Sequence, residues 1–378
     1  MIHRIRFPKR YAHTRVGKIY GRVSDALVRI HQRKLMKENY DSEIQNLIIF
    51  LSPGTDYIRG GVISITSIFN ETVKLRSQID ADAIMCIVPG DPPLTRYSMF
   101  DNQNFLYDLF QVLSYFTRLE RVMVHVPEYT VGKVADTVAR KLALRLQKIA
   151  DVHFNILLQN KWYIPTRKDV DSLRQFGKVT CTIAHRSYSD YAENLLGIHP
   201  RYISWYVSLQ DYERLSYQEK SSVLIVSDDV HPRKEEVLHL LRSTIPDLEV
   251  RHVKNMHYSD YRKLAASAKW ALTFGEGLDG YFLETVFSGG ISFAVYTSEF
   301  FTEDFKGLRT VYESWDSLIS HICEDISELD DPSKYASYNR ELYSVCNTYY
   351  NPVTYRKGIQ EFYDAEWNVS KKPKTDSD

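Results

Sequence analysis

A glycine-rich stretch near residue 275 carries two carboxylates whose spacing could serve a ligand. FGEGLDGYFLETVFSGG places Glu276 among Gly275, Gly277 and Gly280, and Glu284 follows eight positions after Glu276. Glycines let a backbone approach a ligand with no Cβ in the way. Free N–H groups near a helix start bind phosphate oxygens, while carboxylates accept strong hydrogen bonds from hydroxyl groups. The stretch therefore predicts a site for a ligand that carries both phosphates and hydroxyls.

The elements around the two glutamates determine where they lie. The apolar run KWALTF (269–274) predicts a strand, so Glu276 falls on the loop at its carboxyl end. ETVFSGG predicts a helix that begins at Glu284, where the macrodipole would keep the carboxylate charged. The alternative for Glu284 is a helix-end charge with no ligand.

Short apolar runs alternate with amphipathic stretches along the chain. This alternation predicts buried parallel strands joined by helices, hence a doubly wound α/β fold. The first set of predicted strands is 47–51, 83–88, 121–126, 154–158 and 178–183, with helices over 63–78, 104–120 and 133–150. The second set is 223–229, 248–254, 269–274 and 291–296, with helices over 233–245, 260–268 and 284–290.

Two Rossmann-like domains are therefore expected, and a chain of 378 residues is long enough for both. The predicted divisions are a basic arm (1–40), an N-terminal domain (41–212), a C-terminal domain (213–335), terminal helices (336–368) and a disordered tail (369–378). Two such domains facing each other form a cleft at the carboxyl ends of their strands, where ligands bind in this class of fold.

Composition limits the function classes. The net charge is zero, which gives no support for a nucleic-acid partner. The four cysteines are far apart and form no metal-binding spacing, so we expect thiols in a reducing cytoplasm. No apolar run reaches the length of a membrane span, and the chain starts with no signal-peptide pattern.

Residues 1–40 are strongly basic, with eleven Lys or Arg against only Asp25 and Glu38. Apolar residues recur at helical spacing between the cations: Ile19, Val23, Ala26, Leu27 and Ile30. Such a helix could lie on an anionic membrane surface. The alternative is a solvated basic helix that packs on the protein through the same apolar stripe.

The strand-loop-helix context of Glu276 and Glu284 resembles the E-x7-E signature of family-4-like glycosyltransferases with the GT-B fold. GLDGYFL supplies the seven intervening residues, Gly289–Gly290 match the glycines that end the helix, and ISFAVY matches the next strand. The chain departs from the family at Gly290–Ile291–Ser292, where a proline-valine turn is usual. The resemblance covers the second domain well and the first only in layout, and it implies a C-terminal helix that returns towards the N-terminal domain.

The resemblance implies roles for particular residues. Glu284 would hold the nucleotide ribose and Glu276 the hydroxyls of the donor sugar. Arg233 and Lys234 would neutralise the diphosphate, unless they are ordinary charges of a first helical turn. The other donor-binding candidates are Gly275, Gly277, Leu278, Asp279, Gly280 and, at the nucleobase, His257.

Acceptor-side candidates lie in the N-terminal domain. Gly60–Gly61 follow the first strand, where the family has a glycine loop, although a plain turn before the next helix fits equally well. Arg59 would lie close to the acceptor. His125 and His185 end two strands; each is either a cleft residue, with His125 a candidate base, or a structural histidine.

No catalytic metal is expected. Asp80–Ala81–Asp82 matches the DxD motif of GT-A enzymes but precedes its strand, and Asp228–Asp229 opens the second domain rather than the first. We expect no cofactor besides the nucleotide-diphosphate sugar, which is a co-substrate.

The implied reaction is sugar transfer to a lipid-linked glycan in bacterial surface polysaccharide synthesis at the inner membrane face. The segment 179–207 is similar to rhamnosyltransferases, so rhamnose is one candidate sugar. Whether the anomeric configuration is retained stays open. The alternatives are a nucleotide-sugar epimerase of the same fold and a non-catalytic binding protein.

Overall fold

The chain forms two compact units. The computed structural model describes residues 15–57, 60–204 and 212–368. The first unit holds the described residues up to Ser98, Asn102–Ile203 and those from Arg356 onwards, and the second holds Met99–Asp101 and Ser204–Tyr355. Parts of the predicted basic arm (1–14) and of the domain joint (205–211), Arg59, and the predicted tail from residue 369 lie outside the described residues.

The first unit is built on a parallel sheet. Its strands are β1 (Asn46–Ser52), β2 (Asp82–Ile87), β3 (Leu106–Asp108), β4 (Arg121–Pro127), β5 (Asp151–Leu158), β6 (Lys178–Ile183) and β7 (Arg201–Tyr202). They lie in the order β3-β2-β1-β4-β5-β6-β7, the Rossmann order with one added strand. Strands such as β1 are buried along nearly their whole length because helices cover both faces.

Helices of the first unit join these strands. They are α1 (Arg15–Asn39), α2 (Gly60–Lys74), α3 (Arg76–Ile79), α4 (Leu109–Tyr115), α5 (Val131–Thr137), α6 (Ala143–Leu146), α7 (Arg167–Arg174) and α8 (Ser189–Leu196). The segment Val138–Leu142, between α5 and α6, is a π-helix.

The second unit has a smaller parallel sheet. Its strands are β8 (Ser221–Val226), β9 (Glu249–His252), β10 (Ala268–Leu272), β11 (Ile291–Val295) and β12 (Val311–Tyr312), in the order β12-β11-β10-β8-β9. Its helices are α9 (Lys234–Thr244), α10 (Tyr258–Ser267), α11 (Gly280–Phe287), α12 (Trp315–Leu329) and α13 (Pro332–Tyr349), and α14 (Pro352–Glu366) leads back to the first unit. The strand order reverses between β8 and β10, and such a switch point is where open α/β sheets bind ligands.

The longer strands were predicted correctly from the sequence, but two predicted helices differ in part from the structure. The helix predicted over 104–120 is wrong at its start, because Leu106–Asp108 pairs with β2 and the helix begins at Leu109. The Asp108 carboxylate accepts hydrogen bonds from the backbone N–H groups of Phe110 and Gln111, which sets that helix start. The helix predicted over 133–150 is interrupted by the π segment and ends at Leu146.

The C-terminal helix returns to the first unit, as the family resemblance implied. Tyr363 of α14 contacts Thr72 of α2 through their hydroxyl oxygens at 2.9 Å. Trp367, directly after α14, donates from Nε1 to the Ile79 carbonyl at 2.9 Å, and the Arg121 guanidinium lies 4.1 Å from its ring. Helix α14 and Trp367 are therefore part of the core of the first unit.

Helix α1 packs through a face other than its predicted apolar stripe. Val28, Gln32 and Met36 are buried, and Gln32 Nε2 donates to the Leu94 and Leu106 carbonyls at 3.0 and 2.9 Å. The stripe itself faces solvent: Ile19, Val23, Leu27 and Ile30 are 55, 55, 47 and 65% exposed. The expectation that the helix packs through this stripe is therefore wrong.

Two further sequence expectations can be compared with the structure. The four cysteines are free thiols. Across the part of the chain that the structure describes, we find no helix with both the length and the apolar character needed to cross a membrane.

Trp367→Ala should destabilise the first unit strongly. The side chain is 1% exposed, and removing a buried Trp typically costs about 3–5 kcal/mol through lost packing and the cavity left behind. Urea unfolding followed by far-UV circular dichroism measures the effect. Lys357→Ala on α14 is the matched control, since that side chain is 72% exposed and the change should stay within about 0.5 kcal/mol. Equal effects of the two substitutions would contradict the docking of the chain end.

Candidate functional site

The glycine-rich loop after β10 is held by its own hydrogen bonds. Thr273 Oγ1 donates to the Gly277 carbonyl at 2.7 Å, and Asp279 Oδ1 accepts from the Phe282 N–H at 3.0 Å. Gly277 has φ +79°, and a Cβ there would lie 2.6 Å from a ring carbon of Phe301. Only glycine fits position 277 in this loop conformation.

The helix after this loop begins earlier than its sequence predicted. Asp279 is the N-cap and α11 starts at Gly280, so Glu284 is the fifth helical residue and not the first. The predicted macrodipole stabilisation of Glu284 is therefore wrong, because that effect fades within the first turn.

Glu284 is instead a buried carboxyl, 3% exposed. Tyr258 Oη donates to its Oε1 at 2.9 Å, while Oε2 is buried and has no hydrogen-bond partner among the described residues. Burial raises the pKa of Glu284 to about 8, against smaller lowering effects of the Tyr258 hydrogen bond and the Arg262 charge. The expectation that Glu284 stays charged is wrong for the protein without a ligand: at neutral pH this carboxyl is mostly protonated.

Aromatic rings surround this carboxyl on α10 and α11. Tyr258 and Tyr261 stack at 5.9 Å, and Tyr261 meets Tyr281 edge-on at 5.4 Å. Burial, with the nearby Glu284, raises the pKa of Tyr261 well above its ordinary value, so its hydroxyl stays protonated. Tyr261 and Arg262 were not among the predicted site residues. Both fall in the helix predicted over 260–268, but Tyr258 precedes that range, so its spacing from Tyr261 became a helical one only in the structure, where α10 begins at Tyr258.

The carboxyl ends of β8 and β10 meet at the glycine loop. A Cβ on Gly275 would lie 2.7 Å from Asp229 Oδ2, so the Asp229 carboxylate, after β8, packs on Gly275. Burial, together with Asp229 and Glu276, raises the pKa of Asp279 well above its ordinary value. Leu278 is 1% exposed and anchors the loop in the core. Among the described residues, no group of three His, Cys, Asp or Glu side chains could hold a metal ion.

Both predicted phosphate cations have partners within the second unit. Lys234 Nζ donates to the Ser227 and Asp229 carbonyls at 2.6 and 2.9 Å, and its side chain is buried. Arg233 pairs with Glu236 and with Asp316, the latter at 2.8 Å, and remains partly exposed. Lys234 thus fixes the loop after β8, and Arg233 is the more accessible cation.

His257 directly precedes Tyr258, which donates a hydrogen bond to the buried Glu284 carboxyl. It is the N-cap of α10, and its Nδ1 accepts from the Ser259 N–H at 3.3 Å. The cap fixes the first turn of α10 and with it Tyr258, the partner of Glu284. A contact of His257 with a nucleobase stays a prediction.

The acceptor-side candidates belong to the first unit and have different surroundings. Gly60 and Gly61 form the first turn of α2 rather than a loop before it. His125 is 1% exposed, stacks on Phe50 at 4.2 Å and contacts Asn155 and Tyr363 through its two ring nitrogens at 3.0 and 3.1 Å. Burial lowers the pKa of His125 to about 3, which is the setting of a structural histidine.

His185 is buried as well, two residues after β6. Burial lowers the pKa of His185 to about 4, so the imidazole is neutral at physiological pH. Arg59 lies outside the described residues.

Comparisons with known proteins identify the architecture. No protein-family model matches the sequence, and no curated protein matches it significantly. Anabaena HepE in complex with UDP-glucose superposes with a TM-score of 0.54 at 11% identity, over 84% of this chain and 99% of HepE. Sucrose-phosphate synthase from Thermosynechococcus elongatus gives 0.51 at 10% identity, over 85% of this chain and 99% of the synthase.

A third similar structure is a mutant of TarM from S. aureus, bound to Fondaparinux, alpha-GlcNAc-glycerol and UDP. Its TM-score is 0.54 at 9% identity, over 86% of this chain and 100% of TarM. The chain has the GT-B fold. Each match covers both units, so the GT-B architecture extends over nearly the whole described chain. In this GT-B chain Glu276, Glu284 and the glycine loop all belong to the second unit.

Glu284→Gln should change how stability depends on pH. Between about pH 4.5 and 8 the folded protein keeps a proton on Glu284 that the unfolded chain releases, so the free energy of unfolding falls as pH rises. The slope from one such group is at most about 1.4 kcal/mol per pH unit. Glutamine cannot titrate, so the variant should lose this contribution in urea unfolding between pH 5.5 and 8.

Glu341→Gln, an exposed carboxyl on α13, is the control and should keep the wild-type slope. A wild-type slope in Glu284→Gln would refute the assigned ionisation.

Proposed function

We propose that this protein is a glycosyltransferase that moves a hexose-type sugar from a nucleotide-diphosphate-sugar donor to a glycan acceptor. One observation carries the proposal: the buried Glu284 Oε2, without a hydrogen-bond partner in the described residues, beside the fixed glycine loop at the β8/β10 switch point. HepE, which shares the fold, binds UDP-glucose.

The unused oxygen of Glu284 suits a pair of neighbouring hydroxyls. Leaving a buried acceptor without a donor costs about 1–3 kcal/mol, more if it is charged. Ribose hydroxyls could donate to Oε2 while Tyr258 keeps Oε1 occupied. Donor binding would then favour the ionised carboxyl and release the proton that Glu284 holds in the free protein.

The loop supplies the remaining donor contacts. Glu276 is half-buried on the loop and would accept hydrogen bonds from the donor sugar. Gly275, Gly277 and Gly280 would let backbone N–H groups approach the sugar and diphosphate. The Asp279 carboxylate accepts the hydrogen bond that caps α11, so its proposed role is to hold the donor-site loop and helix in place.

The diphosphate needs positive charge, and Arg233 is the best placed to give it. Its present partners Glu236 and Asp316 are exposed carboxylates, and exposed ion pairs contribute only about 0–1 kcal/mol. A phosphate could therefore replace them at low cost and be stabilised as the nucleotide leaves. Lys234 would act indirectly, by fixing the loop that carries Asp229.

Glu284→Ala should weaken nucleotide binding at least about tenfold, since charge-assisted hydrogen bonds contribute about 1.5–3 kcal/mol each. Glu276→Ala should mainly lower turnover. A panel of UDP-, GDP- and dTDP-linked hexoses, with dTDP-rhamnose, read by thermal shift and donor hydrolysis, measures both. Glu284→Gln keeps the side-chain shape and guards against misfolding, and Glu341→Ala is the surface control.

Unchanged binding and hydrolysis in both glutamate variants would defeat the donor site. Interconversion of the donor sugars without any acceptor would point to an epimerase instead.

We also propose that the acceptor is lipid-linked and that the protein works on the cytoplasmic membrane surface in bacterial surface polysaccharide synthesis. The exposed stripe of α1 supports this: Ile19, Val23, Leu27 and Ile30 face solvent along about 17 Å of helix. Exposed cations flank the stripe: Arg22, Arg33, Lys34 and Lys37. Apolar insertion combined with attraction to anionic headgroups is how such helices bind a bilayer.

Val23→Asp with Leu27→Asp should abolish binding to vesicles that contain phosphatidylglycerol. Each exposed apolar side chain transferred to the bilayer contributes about 1.5 kcal/mol, so the pair accounts for more than a tenfold loss in sedimentation assays. Val353→Asp, on an apolar residue 72% exposed on α14, is the control and should bind as wild type. If the wild-type protein binds pure phosphatidylcholine vesicles in high salt as well as it binds vesicles with phosphatidylglycerol, the proposed attraction between the helix cations and anionic headgroups is contradicted.

A further inference from the structure

Exposed aromatic side chains are concentrated at one edge of the first unit. Every Trp or Tyr with a largely exposed side chain among the described residues lies there, on segments that follow the carboxyl ends of β1, β4, β5 and β6. They are Tyr57, Tyr129, Trp162, Tyr163 and Tyr191, between 52 and 66% exposed. These four strands are successive neighbours in the sheet, so the segments after them lie side by side.

Four of these rings lie on adjoining segments and are called here the aromatic platform: Tyr129, Trp162, Tyr163 and Tyr191. The Tyr129 and Tyr163 rings meet edge-on at 6.5 Å. Lys161 lies next to Trp162 in the chain, and its Nζ is 5.4 Å from the centre of the Tyr191 ring. The platform therefore spans the segments after β4, β5 and β6, about 10 Å across the strands.

Polar groups border the platform. Gln159, at the end of β5, lies against Gly61, since a Cβ on that glycine would be 2.8 Å from Gln159 Oε1. Gln159 Nε2 is buried and has no hydrogen-bond partner in the described residues. Lys161 and Arg186 lie on the segments after β5 and β6, where each cation approaches a tyrosine ring, of Tyr191 and of Tyr202 respectively.

We propose that the aromatic platform binds a glycan chain, with sugar rings stacked on Trp162 and the tyrosines. Aromatic faces pack against the C–H face of a pyranose, while phenol hydroxyls and flanking amides bind its hydroxyl groups. The exposed rings carry hydroxyl and indole N–H groups beside their apolar faces, which suits a polyhydroxylated ligand. The proposal rests on the proposed function in that this glycan would be the acceptor, which would then be an oligosaccharide rather than a single sugar.

Binding of the full-length protein to an immobilised array of bacterial surface polysaccharides tests the platform. Wild type should be retained on at least one polysaccharide. Trp162→Ala and Tyr129→Ala should each weaken retention about tenfold, because each removes one stacking ring. Leu144→Ala is the matched control, a residue 80% exposed on the same unit and away from the platform, and it should bind as wild type.

Nucleotide-sugar thermal shifts on the same variants separate this proposal from the donor site. Trp162→Ala should keep the wild-type shift, since the donor candidates belong to the other unit. If the protein is retained on a polysaccharide but binds no nucleotide sugar, the proposed reaction is contradicted while the platform proposal is supported. The platform proposal is overturned if wild type is retained on no polysaccharide, if Trp162→Ala and Tyr129→Ala are retained equally with it, or if those variants lose only vesicle binding.

Discussion

The proposed donor site in the second unit depends on the burial of one carboxyl. Glu284 lies in helix α11, which Asp279 of the glycine loop caps. The hydrogen-bond partner of its carboxyl among the described residues is the Tyr258 hydroxyl. A carboxyl in this setting is tolerated only when it is neutral or when a ligand supplies the missing donors. The Asp279 cap joins the glycine loop directly to the helix that carries this carboxyl. The proposed donor chemistry depends on that juxtaposition.

The first unit uses buried polar groups for a different purpose. His125, Asn155 and Tyr363 form a chain of hydrogen bonds between the sheet and the C-terminal helix, and burial keeps the His125 imidazole neutral. Each group has a partner, as expected of a network that fixes structure. A buried polar side chain can thus be a fully bonded framework element, as His125 is in the first unit, or an incompletely bonded group, as Glu284 is in helix α11 of the second.

The two proposed surfaces of the first unit differ in their chemistry. Helix α1 combines aliphatic side chains with unbalanced cations, which fits a lipid surface. The aromatic platform presents flat rings with hydroxyl and indole N–H groups, which fits sugar rings. Both are visible only as exposed side chains, because apolar residues that face solvent have the same one-letter pattern as those that face a core.

The sequence by itself determined the architecture and the residues worth testing. Strands such as β1 and β4 are buried on both faces and carry runs of apolar residues, so their existence and their alternation with helices could be predicted. The short strands β3, β7 and β12 could not, since two or three residues contain no period. The helix containing Glu284 was placed too late, because Asp279 caps it through a side-chain hydrogen bond that follows from the loop conformation.

Tertiary structure alone decided burial and partners. In the folded protein Lys234 donates to backbone carbonyls and His125 is buried. The apolar stripe of α1 faces solvent, and one oxygen of Glu284 has no hydrogen-bond donor among the described residues. Residue types and spacing specify which groups can react, but pKa values and accessibility depend on atoms that lie far away in the chain and become neighbours only on folding.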